Sequence, residues 1–159
     1  MAIMDKRKII FVADHTGVFL KQELISMLKT EYHNQYEVID LGSDDEKSAD
    51  DYPDFAFMLE DYFKDENTRN IGVAICGTGV GICIAANKIK NVRAGLVTDV
   101  QYAELAIQHD NCNVLVLGAR TTSIDVNKEI LRKFLSAQFE GGRHQRRVDK
   151  ISNYEKKQD

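Results

Sequence analysis

Cys76-Gly77-Thr78-Gly79-Val80-Gly81, set between the apolar run Ile71-Gly72-Val73-Ala74-Ile75 and the segment Ile82-Cys83-Ile84-Ala85-Ala86-Asn87-Lys88, decides how this chain is read. A short apolar run, a glycine-rich turn and an alanine-containing segment predict strand, loop and helix. The glycines allow a tight turn and leave N–H groups uncovered, so the loop and first helical turn can gather around an anion. Cys76 is expected at the rim, and a thiol beside uncovered helix N–H groups is a better base or nucleophile than a free one. Ordinary strand-to-helix packing uses the same glycine spacing. The stretch lacks a dinucleotide fingerprint, and Lys88 stands too far beyond the last glycine for a Walker loop.

Outward from this centre, apolar runs alternate with helical patterns. Lys8–Ala13 reads as a buried strand that breaks at Asp14-His15-Thr16-Gly17, before a helix whose apolar face is Leu20, Leu24, Met27 and Leu28. Asp14 lies where open α/β sheets place ligands, and it equally suits a helix cap. His15 is a ligand candidate or an exposed turn residue. Tyr36–Gly42 predicts a second strand, and the aperiodic stretch Ser43–Asp51 a loop. Pro53 begins a helix with Phe55, Met58, Leu59, Tyr62 and Phe63 on one face, while Tyr52 either walls a pocket or staples the helix start. After the central strand and helix, Val92–Val97 predicts a fourth strand, Val100–Gln108 a helix and Val114–Leu117 a fifth strand. A helix then runs from Ser123 to Ala137, with Thr122 and Asp125 at capping-box spacing and Ile130, Leu131, Phe134 and Leu135 inward. The expected fold is α/β: a Rossmann-like three-layer arrangement around a five-stranded, mainly parallel sheet.

The chain's 159 residues, 43% of them hydrophobic, suffice for one core, so residues 1–159 are read as a single domain. A formal net charge of −4 argues against a nucleic-acid binder with a basic face. Three cysteines without a Cys-x-x-Cys pair form neither a disulfide framework nor a zinc set, which favours a reducing cytoplasm. Met1–Arg7 is short and charged, and no apolar run is long enough to cross a membrane. No clustered His, Asp and Glu ligand set is visible, and neither metal nor other cofactor is expected. The tail, about 142–157, predicts a polar helix on which Arg143 and Arg147 share a face. Those guanidinium groups make either a phosphate clamp or a solvated basic face. A polar helix beyond the last strand-helix unit has little core to join, so it is expected to reach a partner subunit in a homodimer or a dimer of dimers.

Asp14-His15-Thr16-Gly17, Asp51-Tyr52-Pro53-Asp54, Cys76–Gly81, Ala85-Ala86-Asn87-Lys88, His109 through Asn113-Val114-Leu115, and Phe139-Glu140-Gly141-Gly142-Arg143-His144 together resemble the type B ribose-5-phosphate isomerases and their relatives, the galactose-6-phosphate isomerase subunits. The match runs from about Lys8 to Ile151. The resemblance implies a cofactor-free aldose–ketose isomerase of phosphorylated sugars, with sites formed between two subunits. It implies that Cys76 moves the proton between two carbons and that Gly77, Thr78, Gly79, Val80 and Gly81 hold the enediolate. It further implies that His109 opens the sugar ring, that Asp14 and His15 bind ligand, and that Arg120, Arg143 and Arg147 face the phosphate. Tyr52 is a weaker correspondence. Such chemistry needs a base on one side and convergent N–H donors where an oxyanion forms, and the central stretch supplies both.

Where the family usually has asparagine after the ring-opening histidine, this chain has Asp110, with Asn111 behind it. An ionised aspartate at a substrate-binding position accepts hydrogen bonds and donates none. The leading expectation is interconversion of ribose 5-phosphate and ribulose 5-phosphate; the alternatives are galactose 6-phosphate, allose 6-phosphate or a tetrose phosphate. A flavodoxin-like binding or signalling module is the reading from another class, since Ala13-Asp14 also suits a regulatory aspartate.

Overall fold

The computed structural model describes residues 5–159; residues 1–4, within the charged Met1–Arg7 stretch, lie outside the described residues. Strands β1 (Arg7–Ala13), β2 (Tyr36–Asp40), β3 (Ile71–Cys76), β4 (Ala94–Leu96) and β5 (Val114–Gly118) form one sheet. Its spatial order is β2-β1-β3-β5-β4, and every neighbouring pair is parallel. Helices α1 (Val18–Glu31), α2 (Tyr52–Phe57), α3 (Val80–Ala86) and α4 (Val100–Gln108) occupy the crossovers, and α5 (Ile124–Ser136) and α6 (Arg143–Lys156) follow the last strand. The apolar faces of α1, α4 and α5 pack on one side of the sheet, with Leu24, Ala103 and Ile130 against Phe11, Val73 and Leu115. Those of α2 and α3 cover the other, with Ala56 and Ile82 against Val12, Ala74 and Val116. This is the expected Rossmann-like three-layer α/β fold.

β1 and β3 are central and buried along nearly their whole length, which explains their continuous apolar runs. β5 lies beside β3, whereas a flavodoxin-like sheet would place β4 there. The chain leaves β1 toward β2 on one side and returns to β3 on the other. The crevice between the carboxyl ends of β1 and β3 is therefore the topological switch point, where such sheets take ligands.

Three local expectations are corrected. The fourth strand is Ala94–Leu96 rather than Val92–Val97, because the Arg93 N–H is taken by the Asn113 side chain at 2.7 Å. The Pro53 helix turns into a 3-10 segment over Met58–Tyr62, whose tighter winding rotates the stripe. Leu59 and Phe63 are buried there, but Met58 is exposed. The N-cap of α5 is Ser123, whose hydroxyl accepts from the Val126 N–H at 3.2 Å, so Thr122 and Asp125 form no capping box.

Candidate active site

Cys76 ends β3 between β1 and β5, and its side chain packs among Val12, Ala74, Ile82 and Val116. At 5% exposure it forms the floor of the loop rather than its rim, because a central strand is covered on both faces. The Gly79 N–H donates to its Sγ at 3.2 Å. Gly79 stands at φ +82°, and a Cβ there would come within 2.5 Å of Leu96 Cδ1, so only glycine makes this turn. The Gly77 and Thr78 N–H groups have no partner among the described residues, while Val80 N–H donates to Thr78 Oγ1 at 3.3 Å. The Tyr52 ring lies over Gly81, where an added Cβ would sit 2.5 Å from Tyr52 Cζ.

Asp14 faces Cys76 across the switch point, its N–H donating to the Ile75 carbonyl at 3.1 Å. Its carboxylate accepts from Thr16 N–H at 2.9 Å and from Thr16 Oγ1 at 2.6 Å, which is the capping role. His15 is held by a residue the sequence reading passed over. Asp50 Oδ1 accepts from the His15 N–H and meets His15 Nδ1, both at 2.8 Å. Burial alone would raise the Asp50 carboxyl, but the His15 backbone, the His15 ring and the Ser43 side chain outweigh it and hold it below the usual carboxylate range. The loop bearing Asp50 is anchored by buried Lys21, whose Nζ donates to Asp40 at 2.6 Å and to the Ser43 carbonyl at 2.7 Å. Arg120 reaches the same edge: its N–H donates to the Gly77 carbonyl at 2.8 Å. Its exposed guanidinium has no ion-pair partner among the described residues.

The remaining expected residues lie at the opposite end of the sheet. Helix α4 starts beyond the carboxyl end of β4 and returns to the amino end of β5, so His109, its C-cap, stands below the strand starts. Asn111, two residues beyond the C-cap, stands at φ +48°, a left-handed conformation that asparagine tolerates, and Asp110 before it is exposed. Glu140 N–H donates to the Gln108 carbonyl at 3.1 Å, bringing the start of α6 to the same place. There the His144 ring stacks on His109, with centroids 4.2 Å apart and planes 8° from parallel. Desolvation, then the charges of His109 and Arg143, lower the His144 imidazole below its ordinary value. Arg143 and Arg147 are exposed, with no ion-pair partner among the described residues. The strand between the two groups, Val114–Gly118, is itself about 13 Å long. The fold thus joins Cys76, Thr78, Asp14, His15, Tyr52 and Arg120 at one edge, and His109, Asp110, Arg143 and Arg147 at the other.

The other thiols are poor bases. Burial, reinforced by the charge of Asp110, pushes Cys112 up to about 12, and burial also raises Cys83. Donor groups that are scattered in the sequence do converge in space, which corrects the expectation of no clustered ligand set. Asp14, His15 and Asp50, and likewise His109, Glu140 and His144, each place one donor atom within 4.8 Å of the others. In the first group Oδ1 of Asp14 is already engaged by Thr16 and Oδ1 of Asp50 by His15.

Fold and site together define a Rossmann-like protein with a thiol at its switch point beneath a glycine loop whose Gly77 and Thr78 N–H groups have no partner among the described residues. The ribose/galactose isomerase family model matches residues 9–151. The probable ribose-5-phosphate isomerase B of Mycoplasma genitalium is 52% identical over 148 residues, covering 92% of this chain and 95% of that protein. Ribose-5-phosphate isomerase B of Escherichia coli is 39% identical, covering 95% and 98% respectively. The crystal structure of the M. genitalium ribose-5-phosphate isomerase B with bound ribulose-5-phosphate matches with a TM-score of 0.88 at 50% identity, over 94% of this chain and 96% of that one. The chain belongs to the ribose/galactose isomerase family.

Proposed function

We propose that this chain interconverts ribose 5-phosphate and ribulose 5-phosphate through an enediolate, acting as one domain without a cofactor. The carrying observation is Cys76 beneath a loop whose Gly77 and Thr78 N–H groups have no partner among the described residues, in a chain that resembles a relative solved with ribulose-5-phosphate. In the aldose-to-ketose direction the Cys76 sulfur takes the C2 proton of the open-chain sugar. The electron pair moves through the enediolate, a proton passes from the O2 hydroxyl to O1, and the proton taken from C2 is delivered to C1. The loop N–H groups and Thr78 face the oxygen on which charge develops. Asp14, His15 and Tyr52 border the sugar at the same edge, beside Arg120.

His109 opens the furanose, breaking the C1–O4 bond as O4 gains a proton and the C1 hydroxyl loses one. Arg143 and Arg147 grip the phosphate, and Asp110 accepts from a sugar hydroxyl. These groups lie too far from Cys76 to serve the same site within one chain. Each site therefore takes the Cys76 edge of one subunit and the His109 edge of another, in a homodimer or homotetramer. Exposed Ile151 and Tyr154 on α6 supply apolar surface for that contact. No helix among the described residues is long and apolar enough to cross a membrane, and a cytoplasmic location suits the reduced cysteines.

The test is an isomerase assay of the purified chain on ribose 5-phosphate, galactose 6-phosphate, allose 6-phosphate and erythrose 4-phosphate. The highest kcat/KM is expected on ribose 5-phosphate. A higher value on a hexose or tetrose phosphate reassigns the substrate, and inactivity on all four rejects the reading.

A further inference from the structure

The roles above leave His144 unused. It is the second residue of α6 and 6% exposed, although Arg143, Gln145, Arg146 and Arg147 around it are all exposed. Gly141 and Gly142, at φ +67° and +55°, turn the chain into α6. The His144 N–H donates to the Gly141 carbonyl at 3.0 Å, while Glu140 N–H ties the preceding residue to the end of α4. This backbone lays the His144 ring flat on that of His109, 4.2 Å between centroids. The Glu140 carboxylate stands 3.6 Å from His144 Nε2, at the ring's edge. Parallel rings direct their lone pairs side by side, whereas metal chelation needs them to converge, so the geometry suits a stack rather than a metal centre.

Ring opening requires an imidazole nitrogen within hydrogen-bond reach of the sugar, and a misplacement of about 1 Å can cost about 100-fold in rate. His109 is the C-cap of α4, and among the described residues its ring makes no hydrogen bond that would fix it about Cβ. We propose that His144 is a positioning residue for ring opening: its flat face fixes the plane of the His109 ring and aims one nitrogen at the sugar's ring oxygen. This rests on the reading of His109 as the ring-opening group. Proton transfer at Cys76 does not pass through His144.

The two steps can be read separately. Ribulose 5-phosphate is open-chain, because its C5 oxygen carries the phosphate and cannot close on C2. Exchange of its C1 hydrogen for solvent deuterium therefore needs the base but no ring step, whereas conversion of ribose 5-phosphate needs both. His144→Leu is expected to lower kcat/KM for ribose 5-phosphate about tenfold while exchange into ribulose 5-phosphate stays within about twofold. His144→Phe, which keeps a flat ring, should recover most of the loss. Equal losses in both assays, or none in either, would overturn the positioning role. If His109→Asn shifts the ratio of the two rates but His144→Leu does not, only the positioning inference fails. If His109→Asn leaves that ratio unchanged, the ring-opening reading itself fails.

Discussion

The carboxyl edge of the sheet and its amino edge are built differently. At the carboxyl edge the polar groups are mostly settled within the chain: Cys76 receives the Gly79 N–H, Asp14 caps the turn by accepting from Thr16, and His15 is gripped by Asp50. At the amino edge the His109–His144 stack is packed, whereas Arg143 and Arg147 are exposed with no ion-pair partner among the described residues. One edge is finished by backbone and short side chains and suits chemistry that tolerates little displacement. The other presents long, flexible cations and suits capture of an anion. The proposed site needs both and so joins two copies, because the length of β5 separates them.

The largest expected effect tests the finished edge. Cys76→Ala should lower isomerisation by about a thousandfold or more while calorimetry still detects ribulose 5-phosphate binding. Cys83→Ser and Cys112→Ser should stay within about twofold. Turnover of the Cys76 variant comparable to the parent would move the base elsewhere.

The joining of the two edges is tested by complementation. Chains bearing Cys76→Ala, refolded or co-expressed with chains bearing Arg143→Ala and Arg147→Ala, should regain about a quarter of the parental rate. Half of the random dimers are mixed, and one of their two sites is intact. Activity no greater than the sum of the separate variants would place each site within one subunit.

The outward cations come next. Arg143→Ala and Arg147→Ala should each lower kcat/KM for ribose 5-phosphate by about 10- to 100-fold, with lysine restoring part of it, because lysine keeps the charge and loses the planar fork. The slow reaction of unphosphorylated ribose should hardly change. An equal proportional loss on both sugars would turn the arginines into structural residues.

The smallest effect concerns Asp50. Its carboxyl is held below the usual range, so its contribution to stability is fully present above the unfolded carboxylate value of about 4 and is lost as pH falls through the lower folded value. Asp50→Asn should lower Tm by about 2–4 °C near neutrality, and the gap from the parent should close in acid. His144 adds a slope of the same sign: its lowered imidazole value makes the fold lose stability as pH drops below the ordinary histidine value. A gap that persists unchanged at low pH would show that Asp50 acts by packing alone.

Alternation of apolar runs with helical patterns, the glycine loop after β3 and the terminal arginine pair were legible in the sequence by themselves. Each is written within about a dozen residues, the range over which side-chain period and backbone freedom act. Gly79 is such a case, since its left-handed turn belongs to its own residue. Tertiary structure alone placed β5 between β3 and β4, sank Cys76 to the floor of its loop and paired Asp50 with His15 across 35 positions. Nothing in the acidic stretch Asp44–Asp51 distinguishes Asp50 from its neighbours until Lys21 folds the loop back against α1. The same holds for His144, whose partner His109 lies on another helix. Such contacts depend on the path of the whole chain and on what it buries, and no local pattern records that path.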